Sequence, residues 1–391
     1  METYSIIEKI NIPMEKKSVL LIVTIILCGS CTHKQKPITV DTGSIDTVVT
    51  VLPFPELEAG EIFYKKQNPF GETVELTGKN ITGDTVVFKP GECEMLIKDD
   101  RLIMKNIRQP FRIFGLPNLT QQKGTGMYGN GPDEFLFPTL VPTSETDKLC
   151  YLFEATNQKL YKLHEDGTII YCPSVFNAQQ KRNQFGEEMK LAHIEKNDFA
   201  FVANSPTGKS IYRTTQHGDS LSRREVFNLA LNARCKSPFA YIGSFAVNPA
   251  KNRMAYAYKY FKIIKFMDLE AETVRTINFA RDDFDDKTPY IIDGLDQNIT
   301  HYWGACAQEN YVYFLYSGRT PYEVVRAAQK ENYYIYVEQY DWNGIPIRKY
   351  KLDQWGYFTV DEKNEKLYLT STNHDDPFFE YNLNGIDKTD N

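Results

Sequence analysis

The residues from Asn310 to Gly344 show most clearly the pattern from which the fold is predicted. It opens with Asn310-Tyr-Val-Tyr-Phe-Leu-Tyr316 and closes with Glu338-Gln-Tyr-Asp-Trp-Asn-Gly344. Alternation of side chains with a period of two and enrichment in aromatic residues are typical of half-buried β-strands. The closing Asn-Gly pair supplies the positive φ that a tight hairpin turn requires. The stretch therefore predicts one strand, a second strand and a tight turn.

The same unit recurs along the chain roughly every 40–60 residues, a spacing in the range of propeller blades. Its first strand is expected at 100–104, 148–153, 198–202, 252–258, 310–316 and 365–369. A second strand and a polar turn follow, and the turn is clearest at Gly167, Gly218, Gly344 and Gly385. About six units of this kind predict an all-β, six-bladed β-propeller with four-stranded antiparallel blades.

The end of the chain predicts how the ring closes. Only a few polar residues follow Asn384-Gly385, so the last blade lacks its outermost strand. An N-terminal strand, either Thr73–Leu76 or Thr85–Phe88, would complete that blade and leave no open edge. A β-sandwich is the alternative fold, but the regular repeat lacks immunoglobulin-type spacing of Cys and Trp. One short helix is expected at Tyr322–Lys330.

The beginning of the chain has the composition of a secretory signal. A basic pair, Lys16-Lys17, precedes an apolar run that is too short to span a bilayer. Two small residues then precede Cys31, which suits lipoprotein processing with Cys31 as the acylated N-terminus; an ordinary signal without lipid is the alternative. The predicted organisation is a signal peptide at 1–30, a lipidated tether at 31–70 and the propeller at 71–391.

The anchor also bears on location and partners. Cys31 would hold the chain on a membrane, and no acidic residue follows it directly. We therefore expect an outer-membrane lipoprotein that faces the periplasm, with the cell surface as the alternative. The formal net charge of −6 argues against a nucleic-acid partner, which would need a strongly basic face. The other five cysteines after the anchor are scattered and form neither a disulfide framework nor a CxxC pair.

The segment between the first two units carries a distinctive motif. It reads Gly124-Thr-Gly-Met-Tyr-Gly-Asn-Gly-Pro-Asp-Glu-Phe-Leu-Phe-Pro138. This motif resembles the junction between the first and second blades of the TolB-like six-bladed propeller lipoproteins. The matching residues are Gly129, Gly131, Pro132, Asp133, Glu134, Phe135 and Pro138. The resemblance extends over most of the chain after residue 70 and implies the propeller fold and membrane anchoring. It implies no established reaction, and no catalytic residue is carried over.

Physically, the motif predicts a turn. Its glycines permit backbone conformations closed to other residues, Pro132 fixes φ, and Phe135 would fill the core of the next blade. Glu134 would accept hydrogen bonds from backbone N–H groups of the loop. A glycine-rich phosphate cradle is the alternative, but neither a following Gly-Lys-Ser/Thr nor a helix to hold the anion is present.

The longest connections are expected on one face of the propeller. Because strands alternate in direction, connections between the second and third strands of a blade share a face with connections between blades. The long insertions are 173–189, 228–241, 280–298 and 317–332. Long loops grouped on one side of a rigid scaffold usually carry binding, although drift at a tolerant surface is the alternative.

Individual candidate binding residues also fall on that face. His301, Tyr302 and Trp303 lead into a predicted innermost strand, where they would line the channel mouth and stack on a sugar ring; a role in the core is the alternative. Arg319 and Tyr322 lie in the long loop of the fifth blade, where they would bind an anionic group; solvated loop residues without a ligand are the alternative. The aspartates at 282–286 lack the ordered spacing of a calcium loop. We therefore predict no metal and no cofactor.

The sequence contains no recognisable catalytic signature, neither a Gly-x-Ser-x-Gly elbow nor a His-Glu-x-x-His pair. The preferred hypothesis is a membrane-anchored, non-enzymatic propeller that binds a protein or glycan on its long-loop face. The alternative is a carbohydrate-active hydrolase or lyase with its site in the axial channel. A structural component of an envelope complex is a third possibility.

Overall fold

A computed structural model describes residues 38–40, 49–51, 54–65, 67–81, 93–105, 110–131, 134–154, 159–173, 190–217, 220–233, 235–279 and 298–384. The expected signal segment and Cys31 lie outside these residues. The first two strands, β1 (Ile38–Val40) and β2 (Val49–Val51), pair antiparallel as a sheet of their own. Three short strands precede the first blade: β3 (Gly60–Phe63), β4 (Val74–Leu76) and β5 (Lys79–Asn80).

Six antiparallel sheets follow as blades 1 to 6. Blades 1 and 2 consist of β6 (Met95–Lys98), β7 (Arg101–Lys105), β8 (Phe111–Gly115), β9 (Thr120–Thr125), β10 (Pro138–Val141), β11 (Cys150–Glu154), β12 (Lys159–Leu163) and β13 (Ile169–Cys172). Blades 3 and 4 consist of β14 (Lys190–Glu195), β15 (Asp198–Ser205), β16 (Gly208–His217), β17 (Ser220–Asn228), β18 (Gly243–Asn248), β19 (Arg253–Tyr258), β20 (Ile263–Met267) and β21 (Val274–Asn278). Blade 5 consists of β22 (Thr300–Ala307), β23 (Tyr311–Arg319), helix α1 (Pro321–Ala328), β24 (Ile335–Asp341) and β25 (Pro346–Leu352), and blade 6 has its own three strands β26 (Gly356–Asp361), β27 (Lys366–Ser371) and β28 (Phe378–Asn382).

The predicted six-bladed propeller is confirmed. The first strand of each blade lies at the axis, and β26 of the last blade contacts β6 of the first, which closes the ring. Each strand that opens a sequence repeat is the second strand of its blade, for example β23 at Tyr311–Arg319. The turn at Gly344 has the expected positive φ of 79°.

The N-terminal segment closes the ring, but with a different strand from those expected. β5 pairs antiparallel with β28 and supplies the fourth strand of blade 6. The expected candidate Thr73–Leu76 instead contributes β4, which pairs parallel with β25 as a fifth strand of blade 5. The other candidate, Thr85–Phe88, lies outside the described residues.

Part of the segment 31–70, which was expected as a tether, packs with the propeller. β3 pairs parallel with β21 as a fifth strand of blade 4. Leu57 and Phe70 are buried in the core between blades 4 and 5, and Leu76 is buried between blades 5 and 6. Burial of each such side chain stabilises the fold by about 1.5–3 kcal/mol, so the segment belongs to the propeller from residue 54 onward.

The interior consists of cores between neighbouring blades, because side chains alternate along each strand. In β23, Val312 and Phe314 face blade 4, whereas Tyr313 and Leu315 face blade 6. All four side chains are buried. Each central strand is therefore apolar on both faces, which explains the nearly continuous hydrophobic runs in the sequence.

The two faces of the ring differ in the length of their connections. The long-loop face carries the connections between blades and the connections between second and third strands, including helix α1. The short-turn face carries the other turns, such as 342–344. The helix begins with a capping box, in which Thr320 and Glu323 exchange hydrogen bonds with each other's backbone N–H. No helix in the described part of the chain is long and apolar enough to cross a membrane.

The chain enters the propeller from the short-turn face. The backbone carbonyl of Pro55 accepts hydrogen bonds from Arg253 at 2.9 Å and from Asn343 at 3.3 Å. Arg253 begins the second strand of blade 4, and Asn343 lies in the last turn of blade 5, so both are on the short-turn face. From there β3 runs parallel to β21 toward the long-loop face.

Candidate functional site

The turn between blades 1 and 2 is organised around the carboxylate of Glu134. Oε2 of Glu134 accepts a 2.7 Å hydrogen bond from the backbone N–H of Gly131. A Cβ on Gly129 would lie 1.9 Å from Oε2, so a side chain at this position would displace the carboxylate from its present place. Gly126 has a positive φ of 78°, whereas Gly129 and Gly131 do not, which corrects the expectation that all these glycines adopt conformations closed to other residues.

The same turn inserts an aromatic side chain between two blades. Phe135 is buried and packs edge-to-face against Phe111 of blade 1 and Tyr161 of blade 2, with ring centroids 5.2 and 5.1 Å away. The motif therefore acts as a structural junction between the two blades. Its Pro132 and Asp133 lie outside the described residues.

A buried carboxylate that was not predicted from the sequence fixes the chain after this turn. Glu154, at the end of β11, accepts hydrogen bonds from the backbone N–H of Leu136 at 2.8 Å and of Phe137 at 3.0 Å. A lone acidic residue at the end of the apolar run Cys150–Glu154 was the available signal. Held in this way, Phe137 stands 62% exposed on the long-loop face.

Tyr302 is not a surface binding residue, because its side chain points into the core between blades 4 and 5. Its hydroxyl donates a 3.0 Å hydrogen bond to Oε2 of Glu338. Tyr340 donates to the same oxygen at 3.0 Å, and Lys349 donates to Oε1 at 2.9 Å. Burial alone would raise the pKa of Glu338, but Lys349 and the nearby Lys262 outweigh it and hold this pKa below its ordinary value.

His301 lies beside this buried network, at its long-loop end. Its ring stacks on Tyr316 with centroids 6.0 Å apart. Burial and the positive charge of Lys262 lower the pKa of His301 to about 3, so the imidazole is neutral at physiological pH. Its buried Nδ1 has no hydrogen-bond partner among the described residues. His301 can therefore offer a neutral donor or acceptor to a bound group, but no positive charge.

Trp303 forms the centre of an aromatic and cationic cluster. It is 38% exposed, and its ring meets that of Trp355 edge-to-face at 5.6 Å. Nζ of Lys259 lies 4.3 Å from the centroid of the Trp303 ring. The indole Nε1 donates to Thr300 at 3.2 Å, which fixes the ring. Trp303, Trp355, Lys259 and Arg319 are called the tryptophan cluster below.

Arg319 joins this cluster from the end of β23. Its guanidinium carbon lies 3.9 Å from the ring centroid of Tyr334 and 6.0 Å from that of Trp355. Arg319 Nη2 donates to the backbone carbonyl of Tyr334, whereas the buried Nε has no hydrogen-bond partner in the described part of the chain. Burial lowers the pKa of Arg319, although Tyr334 and other neighbours oppose this shift.

Two more unpartnered hydroxyls lie close in sequence to Arg319. Ser317 Oγ and Tyr322 OH are buried and make no hydrogen bond to any described residue. Tyr322 lies in the first turn of α1, with Arg326 over its ring. Buried polar atoms are nearly always satisfied by protein, water or ligand, so these atoms have capacity for a further hydrogen bond.

Five of the nine large exposed apolar side chains among the described residues lie on the long-loop face: Met127, Phe137, Phe239, Ile299 and Trp303. The other four lie on the outer strands of blades 2 and 5 or in a turn of the short-turn face, and they are Ile170, Tyr171, Ile345 and Ile347. Met127, Phe137 and Phe239 are each more than half exposed. Large exposed apolar side chains grouped on one face mark interaction sites.

Other polar groups that the sequence singled out are structural or lie elsewhere. His193 is buried on the innermost strand β14, where Thr143 and the carbonyl of Lys196 satisfy its two nitrogens. The aspartates at 282–286 lie outside the described residues. Within the described ranges, no group of three or more His, Cys, Asp or Glu side chains could hold a metal ion, and no disulfide joins the cysteines.

Only part of the tryptophan cluster was expected from the sequence. Trp303 and Arg319 were candidate binding residues, whereas Trp355 and Lys259 were not. These two lie in other connections of the long-loop face, directly before β26 and directly after β19. An aromatic and a basic residue at these connections were the available signal, but only the closed ring shows that they meet Trp303.

Comparison with known proteins agrees with the six-bladed fold. No curated protein sequence matches the chain. Among solved structures, a DUF4221 family member from Bacteroides vulgatus superposes with a TM-score of 0.51 at 12% identity, over 79% of this chain and 98% of that one. A candidate exported protein from Bacteroides fragilis gives a TM-score of 0.44 at 11% identity, over 79% and 88% of the two chains. The model of the TolB-like 6-blade propeller-like family matches residues 73–363, and the chain therefore belongs to that family.

Proposed function

We propose that this chain is an exported lipoprotein, anchored through Cys31, whose propeller binds a protein or glycan partner on its long-loop face without catalysing a reaction. The basic pair, the short apolar run and the small residues before Cys31 support export and acylation. An outer-membrane location facing the periplasm fits this signal, with the cell surface as the alternative.

The observation that carries the binding role is the grouping of exposed apolar side chains. Met127, Phe137, Phe239, Ile299 and Trp303 come from several different connections, yet all lie on the long-loop face. A scaffold that must stay soluble usually disperses such side chains, so their grouping favours a partner that covers them.

The path of the chain supports the same assignment. Residues 54–57 reach the propeller at the short-turn face, where Arg253 and Asn343 hold the carbonyl of Pro55. A tether that leads from Cys31 to Pro55 would then reach the propeller on the side opposite the long-loop face. In that arrangement the long-loop face would stay accessible when the chain is anchored.

In-cell photo-crosslinking tests the binding role and captures the partner in the same experiment. A photoreactive amino acid is placed at Phe137 or Phe239 on the long-loop face, and separately at Ile170 or Ile345 as controls. The control side chains are also exposed, but they lie on the outer strand of blade 2 and in a turn of the short-turn face. We expect adducts from Phe137 and Phe239 that the control positions do not give.

A further inference from the structure

We propose that the tryptophan cluster is a subsite for an acidic sugar, meaning a sugar residue that bears a carboxylate or a sulfate group. This inference rests on the proposed binding role of the long-loop face and names the ligand class at one place on it. It follows from three features of the described residues: exposed indole surface, an arginine without an acidic partner, and unpartnered hydrogen-bonding atoms nearby.

The two tryptophans provide a fixed apolar surface. Their edge-to-face contact at 5.6 Å and the hydrogen bond from Trp303 to Thr300 hold the Trp303 ring in place. Trp303 nevertheless remains 38% exposed. A rigid, partly exposed indole can stack on the apolar face of a pyranose ring with little loss of side-chain entropy.

Arg319 provides a positive charge that no described carboxylate neutralises through a salt bridge. The nearby Glu323 is engaged in the capping box with Thr320. Lys349 and Lys351, unlike Arg319, each have a carboxylate partner: Lys349 pairs with Glu338 at 2.9 Å and Lys351 pairs with Glu75 at 2.7 Å. A guanidinium in this state, held between aromatic rings, is suited to bind a planar carboxylate or a sulfate.

The cluster combines this charge with further hydrogen-bonding capacity. Lys259 lies over the Trp303 ring, which places a second ammonium group beside the apolar surface. Two buried atoms that lie close in sequence to the cluster residues, Ser317 Oγ and His301 Nδ1, have no hydrogen-bond partner among the described residues. A neutral sugar would leave Arg319 uncompensated, whereas an acidic one satisfies both the charge and the rings.

Intrinsic fluorescence of the mature chain tests this inference directly. Two of the three tryptophans belong to the cluster, and the third, Trp342, is fully buried and donates to the carbonyl of Gln308 at 3.0 Å. The probes are a galacturonate oligosaccharide, its methyl-esterified form as the uncharged counterpart, and a chondroitin sulfate oligosaccharide. The galacturonate and its methyl ester differ only in the esterification that removes the carboxylate charge. The chondroitin sulfate oligosaccharide shows whether the subsite also accepts a sulfate group.

We expect saturable fluorescence changes with at least one acidic probe, and affinity at least about tenfold weaker for the methyl ester, since a charge-assisted contact is lost. The variant Arg319→Met should lose that preference for charge, and Trp303→Ala should abolish the response to every probe. Arg326→Met, which alters an arginine over Tyr322 on the adjacent helix, is the matched control and should bind like the parent chain.

Equal affinity for the galacturonate and its methyl ester would overturn the inference. So would the absence of any fluorescence response in a folded chain whose long-loop face still crosslinks to its partner. If Phe137 and Phe239 gave no crosslinks while an acidic probe still bound selectively, only the proposal that a partner covers the long-loop face would be contradicted. The two proposals therefore fail in distinguishable ways.

Discussion

At the residue scale, Glu338 shows how the propeller accommodates a buried charge. Between blades 4 and 5, its carboxylate accepts hydrogen bonds from the hydroxyls of Tyr302 and Tyr340 and from the ammonium group of Lys349. Burying such a group is unfavourable, and its partners offset the loss of hydration only while all of them remain in place. Tyr302, which was expected at the channel mouth, is required here instead.

Replacing this carboxylate should therefore be strongly destabilising. We expect Glu338→Gln to lower the free energy of unfolding by about 3 kcal/mol at neutral pH, because Lys349 loses the charge it pairs with. The measurement is chemical denaturation of both chains. The matched control is Glu380→Gln, which breaks the more exposed pair with Lys366. It should lower the free energy of unfolding by less than about 1 kcal/mol.

The pH dependence of that difference follows from the direction of the pKa shift. The folded pKa of Glu338 lies below its unfolded value, so the stabilisation is fully present above the unfolded pKa and is lost as pH falls through the folded pKa. The difference in the free energy of unfolding between the parent chain and Glu338→Gln should become smaller in acid. A gap that widens in acid would show that the paired carboxylate is not the source of the stability.

At the scale of elements, the N-terminal segment decides whether the ring is closed. It adds β3, β4 and β5 to blades 4, 5 and 6 in turn. Between β4 and β5, Gly78 donates its N–H to Asp353 at 3.1 Å, and Tyr381 donates to the same carboxylate oxygen at 2.8 Å. Gly78 thus lies against the ring of Tyr381, at the place where the two ends of the propeller meet.

A methyl group at this position should loosen the closure. A Cβ on Gly78 would lie 2.6 Å from Cζ of the buried Tyr381, so we expect Gly78→Ala to destabilise the chain by roughly 1–3 kcal/mol. Gly304→Ala is the control, because its Cβ would meet its nearest neighbour, Phe358, at an ordinary 3.6 Å. Thermal unfolding compares the two. Equal stability of the two variants would mean that closure tolerates a shift at Gly78.

The same elements explain what the sequence could and could not predict. Strands such as Tyr311–Arg319 were predictable because alternation and aromatic enrichment are local properties of the chain. The closing strand was not, because β5 consists of only Lys79 and Asn80 and has no distinctive local pattern, although its partner β28 is aromatic. In the tryptophan cluster, Trp303 and Arg319 were predicted but Trp355 was not, because Trp355 contacts Trp303 only in the closed propeller.

At the scale of the whole molecule, the N-terminal entry at Pro55 and the proposed binding face lie on opposite sides of the propeller. The chain arrives at the short-turn face near Pro55, and the exposed apolar side chains lie on the long-loop face. This arrangement presents the partner face away from the point where the tether is attached. The orientation has meaning only if Cys31 carries the lipid.

The lipid anchor can be tested by replacing Cys31 and, as a control, Cys28. We expect Cys31→Ser to abolish incorporation of a labelled fatty acid and to release the chain from the membrane fraction, because acyl chains provide the attachment. Cys28→Ser, which keeps Cys31, is the matched control and should stay labelled and membrane-bound. Release by Cys28→Ser, or labelling that persists in Cys31→Ser, would contradict anchoring through Cys31.

In-cell crosslinking shows whether the long-loop face is the surface that binds a partner. We expect discrete adducts when the photoreactive group replaces Phe137 or Phe239, and only background when it replaces Ile170 or Ile345. Adducts of equal yield at all four positions, or adducts confined to Ile170 and Ile345, would show that the partner binds the outer strands or the short-turn face instead.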